Sequence, residues 1–211
     1  MAGLENASLY AVFDGHGGDR AAEFVAKQLN KTLEACIADD IKNYSEVMKQ
    51  ARDSSGREEN KKAISKKIAR GLVKLFEALD TAWSHLAKST IPPMDEGTTA
   101  VVTVVIAPPD PAFQEENRNV QSPRSSATPN APGQRKPKTR FVSHSNRGTQ
   151  VWVANAGDSR AMIVKASGET VMLTEDHKPD RQDERIRILN QGGRVQFFGV
   201  WRVQGVLAVS R

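Results

Sequence analysis

Leu9-Tyr10-Ala11-Val12-Phe13 runs directly into Asp14-Gly15-His16-Gly17-Gly18. A wholly apolar run ending in an aspartate and a histidine predicts a buried strand with polar groups at its tip. Such groups are costly beside apolar surroundings unless paired or ligating. The stretch therefore reads as a metal site at a strand end, where glycines turn the backbone tightly and leave its carbonyls accessible to a cation. A helix is expected immediately, with Asp19 as N-cap, Glu23 in the first turn, and Ala22, Val25, Ala26, Leu29 and Leu33 as its apolar stripe. His16 then lies in a strand-to-helix connection, a place from which an imidazole can exchange protons near neutral pH. For Asp-Gly-His alone, a tight turn with a hydrogen-bonded histidine is the commoner explanation.

A second segment of the same design follows. Val151-Trp152-Val153-Ala154 is strand-like, Asn155-Ala156-Gly157-Asp158-Ser159-Arg160 interrupts it, and Ala161-Met162-Ile163-Val164 resumes. Asp158 thus also arrives at a strand end. Taken together, Phe13 to Gly18, Glu96-Gly97-Thr98-Thr99-Ala100, Ala154 to Arg160, Asp176-His177-Lys178-Pro179, Glu184 to Ile186 with Gly192-Gly193, and Trp201 to Arg211 stand in an order and spacing that resembles the metal-dependent type 2C protein serine/threonine phosphatases.

The resemblance implies an α+β fold in which two antiparallel β-sheets pack as a sandwich flanked by helices, the αββα arrangement. It also implies hydrolysis of phosphoserine and phosphothreonine in phosphoproteins by a water activated between two Mg²⁺ or Mn²⁺ ions. Asp14 would bridge both ions, the Gly15 carbonyl would ligate one, Asp158 would hold an auxiliary third, and His16 would protonate the departing oxygen as general acid. Oxygen donors suit these hard cations better than zinc. His177 takes a structural and cleft-lining role rather than a ligand's. Relative to the family pattern, an upstream Arg with a Glu-Asp pair and several downstream aspartates are missing, so the catalytic domain is expected to be truncated at both ends. The alternative is an inactive phosphatase-like binding or regulatory module. Phosphoesterases with a Gly-Asp-x-x-Asp-Arg-Gly motif are disfavoured, because Gly157-Asp158-Ser159-Arg160 continues into Ala161-Met162.

Composition narrows the class further. At 211 residues with a single cysteine, Cys36, the chain suits one domain with no internal disulfide. Cys36 falls near the expected end of the first helix, with no arginine-bearing phosphate loop after it, so a thiol nucleophile is not expected. No apolar run reaches membrane-spanning length and no signal pattern opens the chain; cytosol or nucleus is the expected setting, and a monomer the expected state. The net charge of +5 is concentrated in residues 50–74 and 108–150, which hold 8 and 7 Lys/Arg against 3 Asp/Glu each. Two basic windows on an acidic remainder, without interleaved aromatics, do not make a nucleic-acid surface.

Those windows also mark the domain organisation. Ile64, Ile68, Leu72, Leu75, Leu79, Trp83 and Leu86 keep helical spacing over about 58–88, ahead of Pro92-Pro93, with His85 on the surface and a polar loop over 50–57. Val101 to Ile106 is a β-branched strand. Residues 108–149 hold seven of the ten prolines and are expected to form a disordered insertion, with a solvated His144, between domain parts 1–107 and 150–211. Ser122-Pro123 and Thr128-Pro129 could there serve a regulatory partner, a plain spacer being the simpler reading. A hairpin is expected about Gly168, a helix from Pro179 carrying Ile186 and Leu189 to Gly192-Gly193, and strands about a Gly199 turn.

Overall fold

The computed structural model describes residues 7–50, 55–107 and 149–211. Strand β1 (Ala7–His16) leads into helix α1 (Arg20–Gln50), helix α2 (Ser55–Ser89), strand β2 (Gly97–Ile106) and strand β3 (Gln150–Ala156). The short strands β4 (Met162–Val164) and β5 (Thr170–Met172), helix α3 (Gln182–Asn190), and strands β6 (Val195–Phe198) and β7 (Val200–Val203) complete the order. The class is α+β with every described strand pair antiparallel: β1-β2-β3 form one sheet, and β4-β5 and β6-β7 form two ribbons.

The core lies between the α1/α2 pair and one face of the three-stranded sheet. Val25, Leu29, Leu33, Ile37, Ile41 and Tyr44 of α1 meet Ile68, Leu72, Leu75 and Leu79 of α2 over Val102, Val104 and Ile106 of β2. Tyr44 closes one end with an edge contact to Trp152, ring centroids 5.2 Å apart. Gly71 is buried against α1, and a Cβ there would collide with the Ile37 side chain.

Several expectations need correction. The α1 stripe runs through Ala21, not Ala22, and Ala26 is exposed; a four-residue step back from Val25 keeps the face directed at the core. Cys36 is mid-helix, because α1 continues to Gln50, and Ser55–Arg57 belong to α2, leaving only 51–54 outside the described residues of the expected loop. In α2 Ala87 is buried and Leu86 is not. In α3 Ile188 is buried whereas Ile186 and Leu189 are half-exposed, and the helix starts after Pro179, at Gln182.

β1 is not buried on both faces. Leu9, Ala11 and Phe13 pack on the core while Tyr10 and Val12 are 63% and 58% exposed, since successive side chains alternate and the described helices cover one face only. The Gly168 and Gly199 turns join β4-β5 and β6-β7, with φ of 85° and 76°. His85 is exposed as expected. The insertion, including His144, falls on 108–148 outside the described residues. No helix among the described residues is long and apolar enough to cross a membrane.

Candidate functional site

The β1–β2 ladder fixes the first half of the site. Asp14 stands opposite Thr99, and His16 opposite Gly97. The His16 ring can keep this position because residue 97 has no side chain; a Cβ there would run into it. Gly17 adopts φ of 74°, and a Cβ on it would sit 2.7 Å from the Asp95 carbonyl, so the turn after His16 presses against the start of β2.

Glu96 holds that turn to the helix. Asp19 occupies the N-cap position, its carbonyl accepting the Glu23 amide at 3.0 Å. The carboxylate that meets the first helical amide is Glu96: its Oε2 accepts Arg20 N–H at 2.9 Å and its Oε1 accepts Arg20 Nε–H at 2.6 Å. The Arg20 hydrogen bond is the main influence holding the Glu96 carboxyl below its ordinary range. Trp83 donates its indole N–H to the Glu96 carbonyl at 2.8 Å, tying α2 to the same point.

The second half is the turn after β3. Gly157, at φ of 115°, lies against Thr99 so closely that a Cβ would overlap the Thr99 side chain. The Thr99 and Ser159 hydroxyls are 3.0 Å apart. Thr99, 3% exposed, therefore touches the neighbour of Asp158 while facing Asp14 across the ladder, and relates the two carboxylates to one another. Asp158 itself accepts a hydrogen bond from Lys178 Nζ.

His177 takes the structural half of its expected role and is not among the residues lining the cleft of Asp14 and Asp158. Its backbone N–H donates to the Gly157 carbonyl at 2.9 Å, and its Nδ1 accepts the Gly157 N–H at 3.2 Å. An accepting Nδ1 requires a neutral ring, and burial, reinforced by Arg211, lowers the His177 pKa below its ordinary value. Arg160 grips Asp176 with two bonds of 2.7 and 2.6 Å, anchoring the segment that delivers His177 and Lys178.

Asp14, Gly15, His16 and Asp158 line one cleft of about 870 Å³, together with Val206 and Leu207 beyond β7. A second cavity of about 550 Å³, walled by Leu79, Trp83 and Met94, meets the first at His16. The oxygen donors at Asp14, Gly15 and Asp158 suit a hard cation in kind. In number they would fill only part of such a cation's coordination shell. Among the described residues no three His, Cys, Asp or Glu side chains converge to hold an ion, and Asp158 and Glu96 already face Lys178 and Arg20.

Sequence reasoning assigned no role to Glu96, Thr99, Lys178 or Glu184, although each stands in a quoted motif. Polar residues at the mouth of the β-branched run 101–106 were the available signal for Glu96 and Thr99. Glu184 on α3 is 1% exposed. Burial raises its pKa, but hydrogen bonds from Arg211 and Arg187 outweigh that and bring the carboxyl to about 2.

The comparisons agree on one family. The family described as Protein phosphatase 2C matches residues 1–107 and 116–211. The chain is 31% identical to "Probable protein phosphatase 2C 55" of Oryza sativa subsp. japonica over 98% of its own length and 37% of that protein's. To "Probable protein phosphatase 2C 52" of the same organism it is 33% identical over 97% of its own length and 28% of that protein's. The chain thus spans about a third of the length of these curated relatives. The crystal structure of serine-threonine phosphatase 2C from Toxoplasma gondii superposes with a TM-score of 0.55 at 21% identity, covering 94% of this chain and 49% of that one, a likeness of fold. With its family match spanning nearly all of its length, the chain belongs to the protein phosphatase 2C family.

Proposed function

We propose that the chain forms part of a metal-dependent phosphatase that hydrolyses phosphoserine and phosphothreonine in phosphoproteins, acting as a monomer. The observation that carries this reading is that Asp14 and His16 line one cleft with Asp158, which is remote from them in sequence. Asp14 and the Gly15 carbonyl would hold a cation, with Asp158 reserved for an auxiliary one. When bound, Mg²⁺ or Mn²⁺ offsets phosphoryl charge and acidifies a water. His16 hands a proton to the serine or threonine oxygen as the P–O bond breaks, a contribution of roughly 10²–10⁴-fold for general acid catalysis. Gly97 leaves the space in which that ring sits.

A second reading, a phosphatase-like binding module, is favoured by the shortage of converging ligands and by the Lys178–Asp158 pair. Phosphate release from a phosphothreonine peptide, measured with and without Mn²⁺, separates the two. Metal-dependent release that Asp14→Ala abolishes is the expected result. His16→Ala should slow an alkyl phosphoester more than an aryl one, whose leaving group departs without a proton. No release from the whole protein at saturating metal would select the binding module.

A further inference from the structure

We propose that Glu184 is a positioning residue: by aligning Arg187 and Arg211 it fixes, through Ser210 and His177, the turn that carries Asp158 and the cleft wall around Leu207. The connection is continuous. Glu184 Oε2 accepts Arg187 Nη2–H at 2.8 Å, and its Oε1 accepts Arg211 Nε–H at 2.9 Å. Arg187 Nη2 also donates to the Ser210 carbonyl at 2.5 Å. Ser210 N–H donates to the His177 carbonyl at 3.0 Å, and His177 N–H to the Gly157 carbonyl at 2.9 Å. Gly157 precedes Asp158 directly.

A carboxylate this deeply buried between two guanidinium groups restricts both, because neither can turn away without leaving the charge uncompensated. The segment after β7 is held at two places. Val203 exchanges backbone bonds with Leu207 at its near end, and the Glu184 network holds Ser210 and Arg211 at its far end. Between them lie Ala208 and Val209, which with Val206 and Leu207 line the same cleft as Asp14. α3 is thereby linked to the cleft through a charge pair although Glu184 itself does not line it.

The part of this inference that concerns catalysis rests on the phosphatase reading; the part that concerns position does not. Amide hydrogen exchange on the 211-residue chain reads the latter directly. Glu184→Gln should speed exchange at His177 and Ser210 at least about tenfold, with the α1/α2 core amides near Leu33 and Leu75 unchanged. Arg211→Gln, which leaves Arg187 to compensate the carboxylate, should give the same pattern more weakly. The double variant should be no worse than Glu184→Gln alone, as coupled partners are non-additive. Unchanged exchange at His177 and Ser210 in both single variants would overturn the proposal, as would full additivity. If the whole protein releases phosphate, Glu184→Gln should lower kcat more than it raises KM, and Glu184→Asp should restore part of the loss. Absence of release in the unmutated protein sinks the phosphatase reading and leaves the exchange pattern to decide the clamp.

Discussion

A single ring nitrogen ties the Asp158 turn to the segment that carries His177. Nδ1 of His177 accepts the Gly157 amide, which it can do only while unprotonated. Burial is the leading cause of its lowered pKa, with Arg211 next. A histidine whose folded pKa lies below its unfolded one stabilises the fold fully above the unfolded value, about 6.5, and that contribution is lost as pH falls toward the folded value. Stability should therefore be level above neutrality and decline on acidification from about pH 6.5. Glu184, brought to about 2, adds its own loss only below the ordinary glutamate range, which separates the two windows. Thermal melts across pH 5–8 check this: the slope should flatten in His177→Asn, and an identical slope in both proteins would refute the assignment.

At the scale of elements, the α1–α2 contact is governed by Gly71. Alanine there gains about 1 kcal/mol of helix propensity, but its Cβ has no space beside Ile37, and overpacking a close contact costs about 1–3 kcal/mol. Gly71→Ala should lower Tm, and Ile37→Ala in the same chain should recover part of the loss; a rise in Tm from Gly71→Ala alone would show that the helices slide apart freely. The long helices and the β-branched strand were legible because their periodicity runs over many residues: Leu72, Leu75 and Leu79 or Val102 and Val104 each repeat one environment. Residues 55–57, Ser-Gly-Arg, carry no such repeat, and their place in α2 comes from continuation of a packed helix. The exposure of Tyr10 and Val12 was hidden for a different reason, since five apolar residues in a row do not say how many faces are covered. At the site, Asp14, His16 and Asp158 were legible from motif chemistry, whereas the Lys178 partner of Asp158 and the two arginines on Glu184 depend on contacts between distant segments that no local pattern encodes.

Across the whole molecule, the sheet explains how the chain can carry the proline-rich stretch between β2 and β3. Ile106 is paired directly with Gln150, so the two flanks leave the ladder side by side, and a two-residue turn is sufficient to join them. Among the described residues Ile106 is buried with Val104 and Val102, and their packing partners come from α1, α2, β1 and β3. Replacing residues 108–148 with Asn-Gly should place Ala107 opposite Thr149 in a type I′ hairpin. Because each halving of a flexible connection returns about 0.6 kcal/mol of closure entropy, Tm should hold or rise, and the melt should stay cooperative. That outcome would mark the excised segment as a spacer or a partner's docking site rather than part of the fold. A drop in Tm with a broadened transition would show instead that residues of this stretch pack on the sheet, and that parts 1–107 and 150–211 do not make a self-sufficient unit.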